Sequence, residues 1–156
     1  MQFLRYERCT DLSSIEAELR RLTRERFLTP QQAEAVPPAK LLNFFQSPVG
    51  RRVLCSERVV REFKFSVLED AARYDPALEG EQVLLQGVTD CCILDPDGLT
   101  ILDFKSDAVK TDGERERAEY YRGQLDAYSR ALSKIFARPV KKRILWFFAT
   151  DTAVEL

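Results

Sequence analysis

The chain has 156 residues, 45% hydrophobic and 31% charged, with a formal net charge of −1 and no histidine. That length builds one domain with a real core and is too short for two comfortable ones. No apolar run approaches about 18 residues, and no charged segment followed by an apolar one opens the chain, so neither a membrane span nor a leader is expected and a cytoplasmic protein is.

In chain order, Met1-Gln-Phe-Leu4 reads as the middle of an amphipathic helix, as in a piece cut from a longer protein. A helix is expected from Ser13 to about Arg26, with Ser13 or Ser14 as cap and Ile15, Leu19 and Leu22 on one face. Arg20, Arg21, Arg24 and Arg26 interleave with Glu16, Glu18 and Glu25, the pattern of a solvated helix face. Thr29-Pro30 opens a second helix that Val36-Pro-Pro38 ends. A third runs from Ala39 to Gln46, and Ser47-Pro48 opens a fourth through about Leu54. Residues 1–56 therefore form a helical subregion, and residues 57–156 an α/β core.

The core opens with strands at about 58–68, 82–94 and 99–105, with Asp75-Pro76 breaking the loop between the first two. Phe63, Phe65 and Val67 alternate with Glu62, Lys64 and Ser66, so the two sets face opposite ways. Thr111 or Asp112 is placed to cap one long helix from Glu114 to Phe136, whose apolar stripe is Tyr121, Leu125, Tyr128, Leu132 and Ile135. Arg138-Pro139 stops it. Residues 142–149 read as a strand, in which Leu145-Trp-Phe-Phe-Ala149 is too apolar for a sheet edge. The helical crossover makes a parallel pairing of that strand with 99–105 sterically reasonable.

The chemistry concentrates in one hairpin. Asp95-Pro-Asp-Gly98 is a strong turn signal. If Leu94 pairs with Leu99, antiparallel counting sets Asp90 opposite Asp103, and alternation carries Lys105 to the same face as Asp103. A bulge at Gly98 would slip that register by one residue. Opposed Cβ atoms lie about 5 Å apart, so two aspartates there repel each other and call for a positive charge between them. A divalent metal is the obvious candidate. Hard cations such as Mg²⁺ take one or two carboxylates, keep waters and share substrate phosphate. A lysine two residues on can neutralise charge developing on a phosphodiester. Gln124 and Tyr128, four residues apart, share a helix face.

Four segments occur in a telling order: Arg61-Glu-Phe-Lys-Phe65, Gln86-Gly-Val-Thr-Asp-Cys91, Gly98-Leu-Thr-Ile-Leu-Asp-Phe-Lys-Ser-Asp107 and Tyr121-Arg-Gly-Gln-Leu-Asp-Ala-Tyr-Ser-Arg-Ala-Leu132. Together they resemble the RecB-type branch of the PD-(D/E)XK nuclease family, in its AddA-type form: the C-terminal nuclease domain of bacterial helicase–nuclease subunits. The likeness extends to Leu28-Thr-Pro-Gln-Gln-Ala-Glu34 and Phe44-Phe-Gln-Ser-Pro-Val-Gly-Arg51. The resemblance implies a central mixed sheet flanked by helices, and a metal-dependent deoxyribonuclease acting on single strands during double-strand-break repair.

It also implies roles. Asp90, Asp103 and the backbone carbonyl of Phe104 hold Mg²⁺, for which Mn²⁺ can substitute. Lys105 is the catalytic lysine, Glu62 a supporting or second-metal carboxylate, and Gln124 with Tyr128 the pair that steadies the site, Tyr128 reaching the strand. Arg51 and Arg52, before the first motif, are the better candidates for nucleic-acid contact. The implied partners are single-stranded DNA, the helicase portion of the parent chain, and a second, AddB-like subunit.

Three features qualify the picture. The family normally has a histidine ligand upstream, which this chain lacks; the expectation is a fragment starting just after it, with weakened metal binding. No Gly-rich phosphate loop ending in Gly-Lys-Ser or Gly-Lys-Thr occurs, so no ATP site is expected. Cys9, Cys55, Cys91 and Cys92 form no C-x-x-C pair, and nothing follows Cys92 to hold an iron–sulfur cluster, so buried free thiols are expected. The net charge of −1 gives no global attraction to nucleic acid. Two further readings stand beside the nuclease: the same fold as an inactive module for strand guidance or partner docking, and an unrelated α/β regulatory domain.

Overall fold

The computed structural model describes residues 1–156. Four helices come first: α1 (Leu12–Arg24), α2 (Pro30–Glu34), α3 (Pro38–Gln46) and α4 (Pro48–Cys55). Strands β1 (Val59–Asp70), β2 (Gln82–Asp95) and β3 (Gly98–Lys105) follow, then α5 (Glu114–Tyr120), α6 (Arg122–Phe136), β4 (Val140–Phe147) and β5 (Thr152–Glu155). The five strands make one mixed sheet in sequence order: an antiparallel meander of β1, β2 and β3, then β4 parallel to β3 and β5 antiparallel to β4. The parallel step is the one bridged by helices, as such crossovers require.

Two cores lie on the two faces of the sheet. On one face, Cys91, Ile93, Leu102, Ile144 and Trp146 pack against Ile15, Leu19 and Leu22 of α1 and Phe44 and Phe45 of α3. On the other, Cys92, Leu99, Ile101, Leu145 and Phe147 pack against Ala118 of α5 and Leu125, Ala131 and Leu132 of α6. Adjacent Cys91 and Cys92 thus serve opposite cores, as the pleat dictates. Burying each such leucine contributes about 1.5–3 kcal/mol.

Local signals set most helix starts. Thr29 caps α2 through Gln32, and Ser47 caps α4 by accepting from the Gly50 amide at 3.0 Å. Several expectations are corrected. Asp11, not Ser13 or Ser14, caps α1; Ser14 is the reciprocal partner of its capping box. Met1 to Leu4 is not helical, because its backbone is engaged by distant side chains. Arg21 Nη2 donates to the Phe3 carbonyl at 2.8 Å, and Arg61 Nη1 donates to that of Leu4 at 2.8 Å. Arg21 and Glu18 are accordingly buried as a bidentate pair, not solvated. Short 3₁₀ turns at Ala71–Arg73 and Pro76–Leu78 fill the connection between β1 and β2. Cys55 is exposed, unlike the other three thiols.

The largest correction concerns the segment 114–136. It is two helices, hinged at Tyr121 (φ −91°, ψ −3°), and α5 starts after Gly113 without the expected Thr111 or Asp112 cap. At the far end Ala137 takes up a left-handed conformation (φ 51°), so the turn precedes Arg138-Pro139. β5, unforeseen in the sequence, lies beside β4 and makes that apolar strand internal.

Candidate active site

β2 and β3 pair with Leu94 opposite Leu99 and Asp95 opposite Gly98, so no bulge slips the hairpin. The ladder runs to Cys91–Leu102, and the next step of the same count brings Asp90 opposite Asp103. There the strands part. The carboxylate of Asp90 takes the place of a backbone acceptor: its Oδ2 receives the Phe104 amide at 2.8 Å. Phe104 turns its ring away, against Phe44 and Phe148.

Counting across β1 and β2, Arg61 faces Cys91 and Phe63 faces Thr89, which leaves Glu62 beside Asp90. Glu62 has φ 49° and is skipped by the ladder. The alternation of β1 slips there, because Val60, Phe63, Phe65 and Val67 all pack on the α6 side. The result is that three acidic residues, Glu62, Asp90 and Asp103, stand side by side on three adjacent strands spaced about 4.8 Å apart.

Asp103 is 4% exposed. Burial pushes its carboxyl above the ordinary carboxylate range, Lys105 pulls it back, and Asp90 adds to the rise. Lys105 Nζ lies 2.6 Å from Asp103 Oδ2 but off the line of a good hydrogen bond, so that oxygen remains a buried acceptor without an aligned donor. Lys105 also donates to Gln124 Oε1 at 3.2 Å, and Gln124 Nε2 donates to Tyr128 Oη at 3.1 Å. A relay therefore runs from Asp103 through Lys105 and Gln124 to Tyr128. Tyr128 meets Phe65 edge-on with ring centroids 5.1 Å apart, directly over Gly87. A Cβ on Gly87 would come within 2.5 Å of Phe65 Cζ and 2.9 Å of Tyr128 Cε1, which gives the glycine three residues before Asp90 its physical reason.

The fold thus unites Glu62, Asp90, Asp103, Lys105, Gln124 and Tyr128, with the Phe104 backbone beside them. It does not bring Arg51 and Arg52 there. Both line a cavity with Arg58, Arg138 and the hairpin turn at Asp95-Pro96. Arg52 is paired with Asp95 at 2.6 Å. Five residues of β3 separate that turn from Asp103, about 17 Å of strand. Sequence reading missed three residues beside Lys105, namely Asp107, Arg117 and Tyr121; the sole signal was the acid two residues after Lys105.

No three His, Cys, Asp or Glu side chains converge as a ready-made metal cage. Two adjacent carboxylates with one orphaned buried oxygen nonetheless fit a hard divalent cation, which needs few protein ligands and keeps its waters.

A family model described as the PD-(D/E)XK nuclease superfamily matches residues 2–155. The chain belongs to that superfamily. Curated relatives named as the A component of an ATP-dependent helicase/nuclease cover it almost end to end. The protein from Desulforamulus reducens is 36% identical over 159 residues, 100% of this chain and 13% of the relative. That from Desulforudis audaxviator is 40% identical over 148 residues, 92% of this chain and 12% of the relative. The PD-(D/E)XK chain therefore corresponds to about an eighth of each. Its mixed five-stranded sheet with flanking helices is the architecture expected of such a nuclease, and no helix is long and apolar enough to cross a membrane.

Proposed function

We propose that this PD-(D/E)XK domain is a metal-dependent deoxyribonuclease that hydrolyses single strands delivered by a helicase. The observation that carries the reading is the placement of Lys105 between buried Asp103 and Gln124 where β2 and β3 part. Asp90, Asp103 and the Phe104 carbonyl would hold Mg²⁺ or Mn²⁺, with Glu62 as the supporting or second-metal carboxylate. The ion, when bound, supplies Lewis acidity at the phosphate and a more acidic water.

The side chains do the rest. Lys105 presents its ammonium where a non-bridging phosphate oxygen gains negative charge as water oxygen joins phosphorus and the P–O bond to the leaving sugar breaks. Gln124 fixes that ammonium from α6, and Tyr128 holds Gln124 while its ring edge meets the strand. Residues 1–156 act as one domain. In the AddA-type setting, its partners are the helicase portion of the parent chain and an AddB-like subunit, in the bacterial cytoplasm. Arg51 and Arg52 serve DNA binding away from the chemistry, at the cavity by the hairpin turn.

The test is degradation of labelled single-stranded DNA with Mg²⁺ or Mn²⁺, comparing the chain with Lys105→Ala and Asp90→Asn. Cleavage by the parent sequence and not by the variants is expected. Cleavage that survives both substitutions would refute the assignment. The lack of a third converging side-chain ligand favours a second reading, a catalytically weak module for strand guidance or docking; absence of metal-dependent cleavage in all three proteins supports it.

A further inference from the structure

Lys105 has a third neighbour. Its Nζ stands 3.8 Å from the centroid of the Tyr121 ring, in addition to the Asp103 and Gln124 contacts. The three come from β3, α6 and the hinge between α5 and α6, so the ammonium is confined from different directions. A lysine on a four-carbon stem gains most from such confinement, because it is otherwise among the most mobile of side chains.

Tyr121 is itself held. Its hydroxyl donates to Asp107 Oδ2, and Arg117 Nε donates to the same oxygen at 2.8 Å. Arg117 Nη2 donates to the Tyr121 hydroxyl at 3.2 Å, which closes a triangle of three side chains. Asp107 follows β3, Arg117 lies in α5, and Tyr121 is the hinge residue where α5 ends and α6 begins. The same triangle ties the 106–113 connection to the hinge. Tyr121 still packs partly against the α6-side core, as its place in the apolar stripe implies, and at the break its ring also faces Lys105.

We infer that Tyr121 is a positioning residue for Lys105, its ring face locating the ammonium and the Asp107–Arg117 pair locating the ring. The inference rests on the nuclease reading of Lys105, but its geometric part does not. Tyr121 touches no reacting atom; it acts through the lysine.

Two measurements separate the inference from that reading. The first is the chemical shift of the Lys105 ε-methylene protons, which a ring face shifts upfield. That shift is expected in the parent protein, retained in Tyr121→Phe, and lost in Tyr121→Leu. The second is single-strand cleavage at saturating and limiting substrate. Tyr121→Leu is expected to lower kcat by about tenfold to a hundredfold with KM little changed, the cost of an ångström-scale misplacement. Tyr121→Phe keeps the ring face but loses the hydroxyl that the triangle holds, and is expected to restore part of the loss. Asp107→Ala, which loosens the ring without deleting it and keeps the Arg117 contact to the hydroxyl, is expected to be at least as active as Tyr121→Phe.

An upfield shift that survives Tyr121→Leu overturns the inference, as does a Tyr121→Phe protein as slow as the leucine variant. A parent protein that shows the shift without cleaving DNA upholds the placement of Lys105 and overturns the nuclease reading alone. If Tyr121→Leu fails to fold, the Asp107→Ala shift decides: unchanged, it removes the role given to the triangle.

Discussion

Replacing Gly87 with alanine tests how closely the sheet and α6 must approach for the relay to form. The added Cβ would stand 2.5 Å from Phe65 Cζ and 2.9 Å from Tyr128 Cε1, well inside van der Waals contact. Phe65 is buried and set edge-on to Tyr128, so its ring has no free space to swing into and the half-buried Tyr128 is the one that must give way. Overpacking of this kind costs about 1–3 kcal/mol. In a domain of this size that corresponds to a fall in Tm of about 2–12 °C. Gly123→Ala is the matched control. It sits early in α6 with nothing within 4 Å of its Cβ, and should gain up to about 1 kcal/mol from helix propensity. Urea denaturation gives both values. Because Tyr128 supports Gln124 and Gln124 supports Lys105, Gly87→Ala should also lose strand cleavage under conditions where it remains folded. A Gly87→Ala protein as stable and as active as its parent would refute the claim that Tyr128 rests on the β2 backbone.

Other outcomes follow from the same contacts. Mn²⁺ at a hundredfold its Kd should stabilise the protein by about 2.7 kcal/mol in a thermal melt, and Asp90→Asn should abolish that response. Glu69 receives Arg130 Nε and Nη2, each at 3.0 Å, and the Tyr74 hydroxyl at 2.6 Å. The Arg130 hydrogen bond holds its carboxyl below the ordinary value of 4.5. The stability this lends is present above that value and lost as pH falls through the lower folded-state pKa. Glu69→Gln should therefore destabilise at neutral pH by about 1–3 kcal/mol, with a smaller difference in acid; equal pH profiles would remove the linkage. Arg51 and Arg58 have no carboxylate partner in their cavity, so reversing both charges should flatten the salt dependence of single-strand binding by about 0.7 per lost phosphate contact. An unchanged slope would take that cavity out of DNA binding.

Much of the site was legible because its signals are local. The Asp95-Pro-Asp-Gly98 turn and the alternation beside it fix the hairpin register, and the register alone sets Asp90 against Asp103. Helical spacing likewise sets Gln124 under Tyr128. What escaped was decided by neighbours far off in sequence. Only Gly123 near Tyr121 weakens the helical pattern, and the apolar stripe runs on past it as in an uninterrupted amphipathic helix. Its hydroxyl meets Asp107 14 residues away, across a connection whose path is settled by packing. Glu18 and Arg21 have the spacing of a surface ion pair, and are buried because residues 3–5 fold over them.

The sequence by itself determined the capped starts of α2 and α4, the hairpin, the order of the motifs and the presence of a buried strand after α6. Each of those depends on interactions spanning a few residues, where backbone geometry leaves few choices. Tertiary structure alone decided how the acidic residues and Lys105 come together, where Arg51 and Arg52 lie, and why Glu62 breaks the pleat of β1. Those outcomes depend on which faces of the sheet α1, α3 and α6 cover, and burial across the chain is a property no local pattern carries.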